Sequence, residues 1–219
     1  MGWATVLRGW ALTEQGQGEK GIAQIHQGLA TYRATGAGLG QSDFLALLAE
    51  AYGKAGQTEE GLGVLAEAMT LVDKNDERFY EAELYRIKGE LTLQREARGW
   101  RLETSSPSPQ ASSLQPLVSN GAEREAEECF LKAIEIAQKQ HAKSLELRAV
   151  MSLARLWQRQ ALEQGAGSRE HRAESREQEA HTKLDEAHRM LSEVYYWFTE
   201  GFDTKDLQEA KALLEELNH

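Results

Sequence analysis

The stretch GQGEKGIAQIHQGLATY, Gly16 to Tyr32, lies over GQTEEGLGVLAEAMTLV, Gly56 to Val72, at an offset of 40 residues. Gly16 meets Gly56, Gly21 meets Gly61, Ile22 meets Leu62, Ile25 meets Leu65, Gly28 meets Ala68 and Leu29 meets Met69. Upstream, Gly9 and Leu12 meet Ala49 and Tyr52 at the same offset. Within each copy the apolar and small positions recur three or four residues apart, the spacing of one face of an α-helix. A small residue at a fixed place lets two antiparallel helices approach closely. A large apolar residue one turn away fills the space between neighbouring pairs. One such hairpin cannot bury its apolar stripe alone, so copies must stack.

Outward from this stretch the pattern recurs with interruptions. Gly89 follows Ala49 by 40 residues, and Ala126, Phe130, Ala133 and Ile134 take the roles of Gly21, Ile25, Gly28 and Leu29. A fourth copy places Leu153, Ala154 and Trp157 on one helix and Ala187, Leu191, Val194 and Tyr195 on the next. The predicted pairs are 2–15 with 18–34, 42–55 with 58–73, 78–97 with 122–141, and 143–162 with 183–199. A last helix over 204–217 aligns Leu207, Ala210, Leu214 and Leu217 and reads as a cap. The expected fold is all-α: one domain over 1–219, a right-handed α-solenoid of about four helix pairs with a C-terminal capping helix. Two mobile insertions fall within pairs: about 99–121, with Pro107, Pro109 and Pro116, reads as a loop, and about 165–182, polar and partly helix-competent, as a stretch that lengthens the flanking helices or frays.

Composition narrows the function. The net charge of -10 argues against a general nucleic-acid binder, which needs concentrated Lys and Arg to neutralise phosphates. One cysteine, Cys129, excludes an internal disulfide and a cysteine-rich zinc site, and fits a reducing, cytoplasmic setting. No run approaches the 18 or so continuous apolar residues of a membrane span. The abrupt helical start MGWATVLRGW, without leader or cap, reads as a piece of a longer polypeptide.

The small-residue and aromatic positions resemble the tetratricopeptide repeat (TPR) superfamily, although the period is near 40 and the proline at the repeat end is missing. The phrases LLAEAYGKAGQTEEGL, FYEAELYRIKGELTL and WFTEGFDTKDLQEAKALLEEL further resemble the C-terminal repeat region of large bacterial regulatory ATPases, some with an adenylate/guanylate cyclase-like domain. That resemblance implies a non-catalytic protein–protein interaction module acting as a regulatory or sensing part, with no cofactor and no catalytic residue of its own.

In such repeats the first helices of successive pairs line a concave face. The register puts Trp3, Val6, Trp10 and Glu14 there, then Asp43, Glu50 and Lys54, then Arg86, Glu90 and Gln94, then Arg148, Met151, Arg155, Gln158 and Arg159. Arg148, Arg155 and Arg159 share one helical face and, with Arg86, make a basic patch. Guanidinium forks match carboxylates, so the patch points to an acidic peptide or a C-terminal carboxylate of a protein partner, set against the reading that these arginines pair with nearby glutamates. Trp3 and Trp10, seven residues apart, read as a terminal interface, against a preceding repeat or a second copy in a homodimer.

Other motifs carry less. Gly16-Gln17-Gly18-Glu19-Lys20-Gly21 fits G-x-G-x-x-G, but no strand precedes it and its glycines recur at Gly56 and Gly61, so they read as turn and packing residues. His181, Asp185 and His188 share a helical face without a fourth metal ligand. Cys129 reads as a buried, inert thiol. The run Tyr195-Tyr196-Trp197-Phe198 reads mostly as a core seam shared with the capping helix, with Tyr196 open to exposure.

Overall fold

The structure is a computed structural model; it describes residues 2–104, 119–167 and 173–218. Among the described residues there are nine helices and no strand: α1 (Gly2–Glu14), α2 (Gly18–Ala34), α3 (Gln41–Lys54), α4 (Thr58–Asn75), α5 (Glu81–Thr104), α6 (Ser119–Lys139), α7 (Lys143–Gly167), α8 (Ala173–Tyr195) and α9 (Lys205–Leu217). Helices α1 with α2, α3 with α4 and α7 with α8 pack as pairs, and α9 closes on the last of them, which is the architecture of a TPR-like α-solenoid with a terminal capping helix. The chain divides inside α6 into two compact units, Met1–Cys129 and Phe130–His219.

In the first unit, α1 with α2 and α3 with α4 form antiparallel pairs, and α5 packs on α3 and α4. The close approach within the first pair is set by glycine. A methyl added at Gly9 would lie 2.7 Å from the Gly21 carbonyl oxygen and 2.8 Å from the Ile25 backbone nitrogen. One added at Gly28 would lie 2.7 Å from the Val6 backbone nitrogen. These are backbone obstacles, which cannot rotate away. Ile25, Leu29, Leu45, Leu48, Leu65, Val72, Leu84 and Leu91 are buried between the helices and form the core of this unit.

Both pairs turn the same way. Gly16 and Gly56 have φ of 78° and 74°, a left-handed conformation that favours glycine. Each is followed by a glutamine whose N–H reaches back into the finished helix: Gln17 to the Leu12 carbonyl and Gln57 to the Tyr52 carbonyl, both at 2.9 Å. This is the Schellman closure, which satisfies carbonyls that the helix end leaves without partners. The glycines of the G-x-G-x-x-G stretch therefore serve turning and packing.

In the second unit, α7 pairs with α8, and α9 packs on both. Leu147, Val150, Leu153, Leu156, Ala187, Leu191 and Val194 are buried, as are Leu207, Ala210, Leu213 and Leu214 of α9. Between α6 and α7, His141 (φ 55°) takes the left-handed place and the Ala142 N–H bonds the Ala137 carbonyl at 2.9 Å.

Several boundaries differ from expectation. Residues 99–104 and 119–121 of the first expected insertion are helical, as are 165–167 and 173–182 of the second. Strong helix formers such as Arg, Glu and Ala in those margins lengthen the flanking helices. Residues 105–118, which hold Pro107, Pro109 and Pro116, and residues 168–172 lie outside the described residues. Helix α8 stops at Tyr195, so Tyr196 and Trp197 fall in the α8–α9 connection, 76% and 59% exposed, and are no core seam.

The glycine contacts make a paired prediction. Gly9→Ala is expected to destabilise the chain by about 1–3 kcal/mol, because backbone must move to admit the methyl. Gly63→Ala, at a mid-helix site of α4 with open space around it, is expected to stabilise by roughly 0.5–1 kcal/mol. Urea unfolding of both variants against the parent chain checks the two signs together.

Candidate functional site

A period of 40 residues places equivalent side chains beside each other on adjacent first helices. The indole N–H of Trp10 on α1 donates to Glu50 Oε2 on α3 at 3.1 Å, and Lys54 on α3 pairs with Glu14 on α1. Each pair is separated by 40 positions. Lys54 also reaches Glu50 Oε1 at 3.3 Å, and Arg86 Nη2 on α5 lies 4.0 Å from the same oxygen. Arg86 then donates from Nε to Glu83 Oε2 at 2.9 Å, from Nη2 to Glu83 Oε1 at 2.7 Å, and to Glu90. Glu50, Lys54, Arg86, Glu90 and Trp10, singled out separately in the sequence, thus belong to one polar row across α1, α3 and α5.

Arg86 stands in register with Val6 and Ala46, both fully buried, and is itself only 5% exposed. Burial alone would favour loss of its charge. Glu83, Glu90 and Glu50 outweigh this and hold the guanidinium pKa above its ordinary value. Glu83, 1% exposed, is a member of the row that the sequence did not single out. Its signal was its place one period after Asp43 and two after Trp3.

Trp3 is 56% exposed and Leu7 42% exposed on α1, while Val6 is buried against α2 and does not project. Trp3 and Trp10 therefore differ: Trp10 is half-buried and tied to Glu50, and Trp3 is open.

In the second unit the expected arginine face meets the unit's own last helix. Arg155 Nη2 pairs with Glu209 Oε2 at 2.7 Å, and Arg148 Nε lies 3.9 Å from Asp206 Oδ2. Gln158 Nε2 donates to Glu216 Oε2 at 3.4 Å. Met151, expected to project with them, is 3% exposed, because α7 is apolar around most of its circumference and is packed accordingly. The acids of α9 were missed. They lie off its apolar stripe of Leu207, Ala210 and Leu214, at positions 206, 209 and 216, and the helical spacing would have found them.

Reactive groups do not converge. Cys129 is buried, and burial pushes its thiol pKa up. His181 and Asp185 are exposed, and among the described residues no group of three His, Cys, Asp or Glu side chains is placed to hold a metal ion. No helix among them is long and apolar enough to cross a membrane.

One carboxylate has a shifted titration. Asp43, in the first turn of α3, is raised from 3.8 to about 6. Burial is the main cause, the Ser42 hydroxyl (3.3 Å) opposes it, and the negative charge of Glu77 adds to it.

No family model and no curated protein sequence matches the chain. Among solved structures, the chain is similar to the nearly identical TPR-like repeats of a Podosopora anserina protein assigned as a kinesin light chain. That likeness has a TM-score of 0.50 at 17% identity and covers 98% of this chain and 92% of the other. A single-substitution variant of the same repeats matches with the same TM-score and coverage at 16% identity. Likeness at this identity establishes the TPR-like fold.

Two measurements probe this surface. Arg86→Ala leaves buried carboxylates without their main cation and is expected to cost on the order of 3 kcal/mol. Arg155→Ala breaks a half-exposed pair and is expected to cost about 0–1 kcal/mol; chemical denaturation separates the two. For Asp43, the folded pKa lies above the unfolded one, so the folded state binds the proton more tightly. The penalty of its charge is present at pH 7, falls as pH drops through 6 and is gone below 3.8. Asp43→Asn is therefore expected to raise Tm at pH 7.5, with the gain shrinking towards pH 4; a constant gain across that range would contradict the assignment.

Proposed function

We propose that the chain is a non-catalytic protein–protein interaction module that binds its partner along the first helices of its repeats. The observation that carries this reading is the side-by-side meeting of residues one period apart, Trp10 with Glu50 and Glu14 with Lys54. Neighbouring repeats thereby contribute to one continuous row, with Trp3 and Leu7 exposed beside it. A row built from several repeats suits an extended or helical segment of another protein, contacted at many points, better than a small molecule held in a closed cavity.

Within this proposal the module is the regulatory or sensing part of a larger bacterial, cytoplasmic signalling or transcription-associated ATPase. The support is the sequence resemblance of the α3–α4, α5 and α8–α9 phrases. An acidic peptide remains the natural ligand of the α7 arginines. Because Asp206 and Glu209 already engage Arg148 and Arg155, such a peptide would have to compete with α9.

A second reading, self-association, is favoured by one observation: Trp3 and Leu7 stand open on the same helix. Crosslinking capture from cell extract distinguishes the two, using the intact chain, a Trp3→Ser/Leu7→Ser variant and an Arg148/Arg155/Arg159→Ala variant. The protein-binding reading expects a partner whose recovery falls at least fivefold with one of the variants. Absence of any partner, together with a sedimenting dimer that the Trp3/Leu7 variant splits into monomers, would replace it with self-association.

A further inference from the structure

In the first unit, the two connections that lead into α3 and α5 are copies of each other one period apart. Leu39 and Phe79 occupy the same place in them, two residues before the helix begins, and are 73% and 59% exposed. Single exposed apolar residues are common on protein surfaces and carry no message. Here the exposure is repeated at equivalent positions, and at Leu39 it is held by the backbone. The Tyr32 hydroxyl donates to the Leu39 carbonyl at 2.6 Å, which fixes the main chain while leaving the side chain outside. The Phe79 ring lies tilted near that of Tyr80, their centroids 6.0 Å apart. Register with Asp43 puts Trp3, 56% exposed, at the same end of the neighbouring first helix.

Two carboxylates meet at the Gly40 bend of this edge. Glu77 Oε2 accepts the Gly40 N–H at 3.1 Å, and Asp43 Oδ2 lies 3.7 Å from where a Gly40 side chain would begin. Gly40 itself has a φ of 75°, so the bend that brings both acids to it depends on glycine. Among the described residues no basic side chain pairs with Asp43 or Glu77. The neighbouring cations are engaged elsewhere: Arg33 with Glu67 and Gln41, Arg78 with Asp76, Asp73 and Glu81. The acids of the polar row, Glu14, Glu50, Glu83 and Glu90, each have a cation, which sets this pair apart from them. The surrounding unit is acidic too, with nineteen Asp and Glu against twelve Lys and Arg over residues 1–129.

We infer that this edge, Trp3, Leu39 and Phe79 around the Asp43/Glu77 carboxylates, docks a segment of a partner protein that presents a lysine or arginine flanked by apolar side chains. The occupant follows from charge complementarity. Two carboxylates lacking a cation accept a basic head, and exposed apolar groups on either side cover its neighbours. This rests on the protein-binding reading and names the chemistry of one partner contact. It is distinct from the α7 arginine face, which selects the opposite charge.

The test is selection of displayed random peptides on the full chain. Enriched peptides are then synthesised and titrated against the parent, an Asp43→Asn/Glu77→Gln variant and a Leu39→Ser/Phe79→Ser variant. All four substitutions fall at half-buried or exposed positions, and circular dichroism with thermal melting verifies that each variant folds. The expected result is enrichment of Arg or Lys beside apolar residues, with binding at least fivefold weaker to each variant and weaker still at high salt. Peptides that bind the parent and both variants within twofold, or an acidic consensus, overturn this edge while leaving a protein-binding module in place. Failure to enrich any peptide on the parent counts against both.

Discussion

The close antiparallel crossing of two helices is the constraint on which the rest depends. In the first pair it is so tight that glycine backbone lies against glycine backbone, Gly9 against Gly21 and Gly2 against Gly28. In the second pair Ala49, Gly61 and Ala68 hold the corresponding places. Close approach leaves little side-chain volume within a pair, so the large apolar residues Ile25, Leu29, Leu65 and Val72 must find burial partly against the next pair. Stacking follows from that shortage, and the array from stacking.

Stacking at a fixed period has a second consequence. Equivalent residues on successive first helices become spatial neighbours, so a sequence separation of 40 becomes a hydrogen bond or an ion pair. The row Glu14, Lys54, Glu50, Arg86, Glu83 and Glu90 exists because the helices that carry it are held parallel by cores that do not involve it. Its side chains are therefore available to vary for recognition without cost to the core. Arg86 and Glu83 are the exceptions, since both are buried and pair with each other among core positions.

The repeat, its turns and its core were legible because they are periodic. Gly16 and Gly56, Ile25 and Leu65, and Leu153 with Trp157 all fell where the register put them. What escaped was whatever depends on the neighbours of a residue more than on its own periodicity. Met151 looked outward by register, yet α7 carries apolar residues all round and is buried with them. Arg148 and Arg155 could be read as paired or as a ligand patch, but their actual acids could not be named, because these lie more than 50 residues away on α9. The aromatics after Tyr195 looked like core because a helix was assumed to continue through them, whereas α8 ends there. The division of the open and tied tryptophans, Trp3 and Trp10, was equally invisible, for the two share one helical face and differ only in whether a glutamate stands opposite.

The distribution of compensated and uncompensated charge separates structural from recognitive polar groups. Charges in the row and on α7 have partners within the chain, and a partner in place lowers the gain from any external one, because the existing pair must first be broken. Asp43 and Glu77 stand differently. Burial and mutual repulsion raise Asp43 in free energy while it is ionised, and no cation of its own relieves it. An incoming basic group removes a penalty that the isolated molecule carries at neutral pH, so the interaction it gains is not offset by one it displaces. The same reasoning assigns the exposed Leu39 to this edge: its backbone is fixed by the Tyr32 hydroxyl, so little further order is lost when it is covered.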